Sequence, residues 1–297
     1  MKRRALLALL LALSLPVWGD GLQRIRSSGT INLGYLTDTA PFSSQQGDKV
    51  DGYSIELCRQ LAGQLKSQLG LSELTPRFQA LAHEQWQAAV HGGQVELFCT
   101  PEPASATLRQ ALDFSVPIYT GGLGVVVARD APSSLLAVLN GETAHSGPTW
   151  RATLNRGLAR HSFAVVEGGV SEAWVRRQLS RLGVIATVIS VPTYKAGVEF
   201  VQEGKADAFF SERMLLRQYL SQLPGGERLR VLDRVFEVVP VSLAMARGDQ
   251  ELRLQVDMAL SELYHSGALL QTYRQYLGEP GEAEALLLKA YPLPRDR

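Results

Sequence analysis

Short apolar stretches alternate with helical stretches along most of this chain, and this alternation constrains its fold more than any other feature. The first group of predicted elements is, in order, "TINLGYL", a helix over residues 54–69, "PRFQAL", a helix over residues 84–91 and "VELFC". The second group is "SFAVV", a helix that begins near Ser171, "ATVISV", a helix over residues 196–203 and "ADAFF". Strands that alternate with helices are typical of parallel α/β sheets. The sequence therefore predicts two α/β units.

The length of the chain fits this division. Its 297 residues, 45% of them hydrophobic, can bury a large core and are enough for about two domains. The apolar strand "LGVVVARD" begins the second unit, and an extended apolar run, "VFEVVPVSLAMARGD", returns from Val235. A strongly periodic helical stretch follows it, interrupted at Gly267.

The first twenty residues, "MKRRALLALLLALSLPVWGD", have the features of a secretory signal peptide. Residues 2–4 are basic, residues 5–15 are apolar, and Pro16 breaks the helical pattern. We predict cleavage after Gly19. A membrane anchor would need about 18 or more apolar residues, so this run is too short to be one. The mature protein is expected to be exported and soluble in the periplasm.

Export makes a disulfide possible between the two cysteines, Cys58 and Cys99. Cys58 lies on the apolar face of the predicted helix over residues 54–69, and Cys99 ends the strand "VELFC". A helix packed on that strand could bring the two sulfur atoms together. Two buried free thiols are the alternative, because cysteine is often buried without pairing. The sequence leaves both possibilities open.

Charge and motifs exclude several functions. The formal net charge is +1, and charges of both signs are scattered along the chain, which argues against a nucleic-acid groove or a polybasic membrane surface. The sequence has no Ser/His/Asp arrangement, no metal-ligand spacing among its five histidines and no phosphate-binding glycine loop. We therefore expect no cofactor and no metal.

Five segments together resemble the periplasmic solute-binding proteins of the polar amino acid type, bacterial extracellular solute-binding protein family 3, which serve ABC importers. They are "GTINLGYLTDTAPFSSQQGDKVDGYSIELC", "GGQVELFC…LDFSVPIY", "VVEGGVSEAW", "GKADAFFSERMLL" and "ELYHSGALLQTYRQYLG". The resemblance runs from about Gly29 to Gly278. It implies an α/β, two-lobed periplasmic binding protein type II fold with a ligand cleft between the lobes. Residues 20–121 and 240–297 would form the first lobe, and residues 122–239 the second.

The resemblance implies a ligand contact around a Pro-Phe motif after the first strand, here Pro41 and Phe42. Asp38 and Thr39 precede this motif. Relatives often carry an aromatic residue or an arginine just before it, whereas this chain has Leu36 and Thr39 at those positions, so that contact is altered. Packing in the core is the alternative role for Phe42.

Family members hold the ligand's carboxylate with an arginine after the fourth strand. An ungapped alignment from Cys99 puts Leu108 at that position, whereas alignment on "SATL" puts Arg109 there, and the choice stays open. An arginine would suit a carboxylate because its planar fork donates two parallel hydrogen bonds. Glu102 stands where relatives place Ser or Thr and would repel a carboxylate, so a carboxylate there would need the hydroxyl of Thr100, Ser105 or Thr107 instead.

In the second lobe, Gly169, Val170 and Ser171 match a Gly-Thr-Thr segment that binds the carboxylate in relatives. Unpaired N–H groups at a helix start attract an anion whatever the side chains are, but an ordinary capped helix start is the alternative. Glu212 aligns with the family's aspartate that binds the ligand's ammonium group. A solvated loop carboxylate is the alternative there. Trp86 stands where relatives that bind acidic amino acids carry an arginine, which argues against such a ligand.

These features together predict a monomeric periplasmic binding protein, not an enzyme, that delivers a small polar solute to an ABC permease in the inner membrane. The solute would be an amino acid or an amine. One alternative is a solute sensor for a membrane receptor. Another is an enzyme similar to periplasmic cyclohexadienyl dehydratase, with Glu84, Glu102 or Glu212 as proton carrier.

Overall fold

The computed structural model describes residues 21–141, 160–183 and 185–294. The predicted signal peptide, residues 1–19, lies outside this range. The elements up to residue 128 are α1 (Gly21–Ser28), β1 (Thr30–Tyr35), β2 (Asp38–Thr39), β3 (Ser43–Gln46), β4 (Lys49–Asp51), α2 (Tyr53–Gln68), β5 (Thr75–Ala80), α3 (Trp86–His91), β6 (Leu97–Pro103), β7 (Leu112–Phe114) and β8 (Tyr119–Ala128).

The following elements are α4 (Ser133–Asn140), β9 (Ser162–Val166), α5 (Val170–Leu182), β10 (Thr187–Val191), α6 (Tyr194–Gln202), β11 (Ala208–Glu212), α7 (Arg213–Gln222), β12 (Leu229–Val231), β13 (Glu237–Ala246), α8 (Gln250–His265), α9 (Ala268–Leu277) and α10 (Glu282–Ala290). Short 3₁₀ helices lie at Leu108–Gln110 and Gly226–Arg228.

The large sheet has the strand order β10-β9-β11-β8-β13-β6-β1-β5, with β12 beside β8 and β7 beside β13. β1 runs parallel to β5 and β6, and β9 runs parallel to β10 and β11, as expected for strands connected through helices. The long strands β8 and β13 pair antiparallel from Tyr119↔Val241 to Leu123↔Glu237 and connect the two halves. We call the half built on β1, β5, β6 and β7 lobe one, and the half built on β9 to β12 lobe two.

The packing of α2 on lobe one follows from its sequence. Leu57, Cys58, Leu61 and Leu65 recur at helical spacing and are fully buried. This face brings α2 against β6, where Cys58 and Cys99 form a disulfide with their Cα atoms 6.3 Å apart. The predicted disulfide is therefore confirmed.

Buried apolar side chains form separate clusters in the two halves. Lobe one is filled by residues of α2, β1, β6, β13 and α8, and lobe two by residues of β8, β9, β11 and the helices on its two faces. Leu215, at the start of α7 in lobe two, is nevertheless part of the main lobe-one cluster. Tyr194 and Tyr219 pack against clusters of both lobes. Side chains of lobe two thus pack against residues of lobe one.

Candidate functional site

Polar side chains from both lobes meet where parallel strands end. Asp38, His83 and Glu102 follow or end β1, β5 and β6 in lobe one, while Tyr194 follows β10 and Glu212 ends β11 in lobe two. The carboxyl ends of parallel strands are where such sheets bind ligands. We call Asp38, His83, Glu102, Tyr194, Glu212 and Tyr219 the acidic cleft.

Asp38 and His83 form the centre of the lobe-one side. Nε2 of His83 lies 2.8 Å from Oδ1 of Asp38, and this hydrogen bond raises the pKa of His83. The ring of Tyr194 meets the His83 ring edge-on, with 5.7 Å between their centres. The hydroxyl of Tyr219 donates a hydrogen bond to the backbone carbonyl of Asp38. Two tyrosines of lobe two therefore cover the histidine–aspartate pair of lobe one.

Glu102 lies near the end of β6, where its backbone pairs with Ser242 of β13. Burial raises the pKa of its carboxyl to about 7, and the nearby charge of His83 offsets only part of this shift. Within the described residues, its carboxylate has no ion-pair partner within 4.0 Å. Glu102 therefore carries a partly buried carboxyl that lacks a fixed cationic partner.

Glu212 joins the cleft from lobe two and also caps α7. Its Oε2 accepts a hydrogen bond of 2.9 Å from the backbone N–H of Leu215. Its Oε1 accepts longer contacts of 3.4 Å from the hydroxyl of Tyr119 and from the N–H of Gly122. Burial raises the pKa of Glu212 to about 7, although these hydrogen bonds favour the ionised form. Glu212 therefore presents a buried carboxyl that the backbone around β8 and α7 already holds in place.

Tyr194 lies in a negative electrostatic environment. Burial raises the pKa of the Tyr194 hydroxyl, and the charges of Glu102, Asp38 and Glu212 raise it further. Carboxylates from both lobes therefore act on one tyrosine hydroxyl.

Three other residues that the resemblance singled out lie in buried structure behind β1. The hydroxyl of Thr100 accepts from the N–H of Leu36 at 2.8 Å and lies 2.7 Å from the hydroxyl of Ser43. Thr39 Oγ1 lies 2.6 Å from the same Ser43 hydroxyl. Phe42 is 4% exposed and packs against Tyr119, with 5.0 Å between ring centres. These contacts fix the wall of the cleft next to Asp38.

Arg109 and Leu108 have partners elsewhere in lobe one. The Arg109 side chain is exposed, its Nε donates to the carbonyl of Ala104 at 3.2 Å, and its guanidinium lies 5.5 Å from the centre of the Phe114 ring. Leu108 packs against an apolar cluster that includes Trp86. Trp86 itself is 6% exposed and stacks on Phe98.

The start of α5 has a carboxylate of its own. Gly169 is the N-cap residue, and Val170 and Ser171 begin the helix. The N–H of Gly168 donates to Oε2 of Glu172 at 2.8 Å. Arg176 holds this carboxylate at 2.7 Å and lowers its pKa. The positive end of α5 therefore already faces a negative side chain.

The sequence analysis did not propose His83, Tyr194 or Tyr219 as ligand contacts. His83 follows the strand "PRFQAL" by two residues, and Tyr194 follows "ATVISV" by three, so their position after predicted strands was the available signal. Tyr219 lies inside α7 and no comparable signal marks it. Across the described ranges, no group of three or more His, Cys, Asp or Glu side chains is placed to hold a metal ion.

Two α/β lobes joined by two long strands, with polar side chains converging from both lobes on the space between them, define a two-lobed solute-binding protein. Residues 31–279 match the family described as bacterial extracellular solute-binding proteins, family 3, and the chain belongs to this family. Among the described residues, no helix is long and apolar enough to cross a membrane.

Relatives and solved structures agree with this assignment. The chain is 23% identical to an L-glutamate/L-aspartate-binding protein of Pseudomonas aeruginosa, covering 96% of this chain and 89% of the relative. It is 21% identical to an L-cystine-binding protein of Bacillus subtilis, covering 88% and 86%. The fold is similar to that of an ancestral amino acid-binding protein that is a precursor of cyclohexadienyl dehydratase, with a TM-score of 0.68, 20% identity, and coverage of 86% and 98%.

Proposed function

We propose that the protein binds a small polar solute, an amino acid or an amine, in the acidic cleft and delivers it to an ABC permease in the inner membrane. The observation that carries this proposal is that polar side chains of the two lobes meet in the acidic cleft, where the Tyr194 ring contacts the His83 ring and the Tyr219 hydroxyl donates to the carbonyl of Asp38. A solute that contacts both sides would stabilise the state in which the lobes touch.

The proposed contacts are Asp38, His83, Glu102, Tyr194, Glu212 and Tyr219. Thr39, Phe42 and Thr100 support them from behind through buried hydrogen bonds and ring packing. In this proposal, residues 20–121 and 240–297 move as one lobe and residues 122–239 as the other, bending where β8 and β13 pair. Domain closure around ligand is the established mechanism of periplasmic binding proteins.

The proposed location is the periplasm, with the signal peptide removed after Gly19 and the mature protein a monomer. The basic, apolar and helix-breaking segments of residues 1–19 support export. The intact mass of protein isolated from the periplasm would test the cleavage site. A mature chain that still begins at Met1 would contradict it.

We favour binding over catalysis because the relatives described above are named as binding proteins and because the Glu212 carboxylate is engaged as a helix cap. The pKa values of Glu102 and Glu212, both raised to about 7, are what a proton-transferring enzyme would also need. Solute recovered after prolonged incubation with the protein should therefore be analysed by mass spectrometry. We expect it to be unchanged, and accumulation of a dehydrated product would overturn the assignment.

The direct test of the proposed function is a thermal-shift screen of amino acids, amines and organic acids, followed by titration calorimetry with the best solute. Glu212→Gln and Glu102→Gln should each weaken binding at least tenfold, because each removes a charge that faces the solute. Glu73→Gln is the matched control, since Glu73 is exposed in the loop before β5. Unchanged affinity in both cleft variants would move the binding site away from the acidic cleft.

A further inference from the structure

The acidic cleft also restricts the charge of the solute. Resting on the function proposed above, we propose that the preferred ligand is an organic cation without a carboxylate group, such as an amine or a diamine. Its cationic groups would lie between Asp38, Glu102 and Glu212.

The charge balance of the cleft is the first argument. The charges of Asp38, Glu102 and Glu212 all act on Tyr194, whose ring centre lies 5.7 Å from that of His83, and His83 is the one basic side chain among the six residues of the acidic cleft. His83 is already engaged by Asp38 at 2.8 Å. An ammonium group would offset the excess negative charge, whereas a ligand carboxylate would add to it.

The direction of Arg109 is the second argument. Arg109 holds its guanidinium 5.5 Å from the centre of the Phe114 ring and donates from Nε to the carbonyl of Ala104. Leu108, the alternative position, packs into an apolar cluster and has no charge. Neither of these described sets of contacts includes a residue of the acidic cleft.

The start of α5 is the third and independent argument. The carboxylate of Glu172, in the first turn of α5, accepts a hydrogen bond from the N–H of Gly168, which precedes the N-cap residue Gly169. Arg176 and the hydroxyl of Ser190 hold Glu172 in this position. A ligand carboxylate at this helix start would therefore meet the negative charge of Glu172.

The aromatic wall of the cleft is the fourth argument. Tyr194 packs edge-on against the His83 ring, and Tyr219 donates to the backbone carbonyl of Asp38, so both tyrosines lie beside the histidine–aspartate pair. Aromatic faces attract cations and shield them from water, so they strengthen the interaction between an ammonium group and nearby carboxylates. The carboxylates and the tyrosine rings would therefore both favour a cation bound between the lobes.

The experiment compares ligands that differ in a carboxylate alone. Agmatine and arginine, cadaverine and lysine, and putrescine and ornithine form such pairs, and each member is titrated calorimetrically against the mature protein at pH 8 and low salt. We expect the amine of the best-binding pair to bind at least ten times more tightly than its amino acid. Equal or tighter binding of the amino acid would overturn the inference.

The outcomes separate this inference from the proposed function. A neutral or anionic solute that binds more tightly than every amine would overturn the inference and leave solute binding intact. If neither these pairs nor any solute of the wider screen binds, both the inference and the proposed function fail. The wild-type comparison uses no variant, so its outcome does not depend on the folding of one.

Glu102→Gln then tests the reason for the preference. Removing this carboxylate should weaken amine binding at least tenfold and amino acid binding much less, so the ratio between the two should fall. Glu73→Gln should leave the ratio unchanged. A ratio that is the same in Glu102→Gln and in the wild type would exclude Glu102 as its source.

Discussion

Glu102 and Glu212 couple the protonation of single residues to the stability of the whole fold. The pKa of each carboxyl is raised from an ordinary value of 4.5 to about 7 in the folded protein. The folded state therefore binds protons that the unfolded state has lost between these two pH values. Asp38 and His83 in lobe one, and Tyr119 and Tyr194 beside them, are the titratable groups that face this pair.

The first prediction is that the free protein becomes less stable as the pH rises from about 4.5 to about 7. The contribution of a raised carboxyl pKa is fully present below the unfolded value and is lost by the time the pH passes the folded value. Each carboxyl contributes at most about 3 kcal/mol to this loss. His83, whose pKa is also raised, adds a loss in the same direction near neutral pH. Urea unfolding at a series of pH values measures the slope.

Glu102→Gln should make this stability profile flatter, and Glu73→Gln should leave it as in the wild type. A wild-type free energy of unfolding that stays constant between pH 5 and pH 7.5 would contradict the raised pKa values.

The second prediction concerns binding. A cationic ligand favours ionised carboxylates, so it should lower the pKa values of Glu102 and Glu212 and release protons when it binds. Affinity should therefore rise as the pH increases toward about 7, by up to roughly tenfold per pH unit for each proton released, and should level off above it. Calorimetry in buffers of different ionisation enthalpy measures the proton release. Proton uptake on binding would contradict the prediction.

At the scale of residues, the sequence predicted only some of the side chains that form the acidic cleft. Asp38, Glu102 and Glu212 stand at positions that the family resemblance marked, because they follow strands whose order is carried by recognisable motifs. His83, Tyr194 and Tyr219 depend on which side chains of two lobes meet in space. The 5.7 Å contact between His83 and Tyr194 joins residues 111 positions apart, and no local pattern encodes it.

At the scale of elements, apolar periodicity predicted the position of a helix, whereas the end of β6 was predicted too early. The helix predicted over residues 54–69 occupies Tyr53–Gln68, since its apolar face repeats at helical spacing. The strand "VELFC" was expected to end at Cys99 with Glu102 on the loop after it, but β6 continues to Pro103. Its partner β13 lies about 140 residues later and pairs with it through an irregular register, which accommodates residues that lack an N–H group. That partner cannot be inferred from the local sequence.

The disulfide between α2 and β6 leads to the third prediction. Cys58 and Cys99 are 41 residues apart, and closing a loop of this length stabilises the fold by roughly 4 kcal/mol in the chain-entropy model. The double variant Cys58→Ser, Cys99→Ser should lose about this much, as measured by urea unfolding. Reductant should destabilise the wild type similarly and leave the double variant unaffected. A double variant as stable as the oxidised wild type would show that the crosslink does not stabilise the fold.

At the scale of the whole molecule, individual contacts that join the lobes across the cleft can be tested singly. Leu215 of lobe two lies in the lobe-one core, and the Tyr219 hydroxyl donates to the carbonyl of Asp38. Two-lobed proteins of this kind exist as open and closed populations, and a contact made only when the lobes touch shifts the balance toward the closed one.

The fourth prediction is that Tyr219→Phe shifts the protein toward the open form and weakens solute binding. A single hydrogen bond contributes about 1 kcal/mol, which corresponds to roughly a fivefold loss of affinity. The radius of gyration of the free variant, measured by small-angle X-ray scattering, should increase. Tyr264→Phe is the matched control, because the Tyr264 hydroxyl donates to the carbonyl of Pro117 at 2.6 Å within lobe one. It should lower the free energy of unfolding by a similar amount without changing the radius of gyration. If both variants expanded equally, or if Tyr219→Phe bound solute as tightly as the wild type, the contact between Tyr219 and Asp38 would not be a determinant of closure.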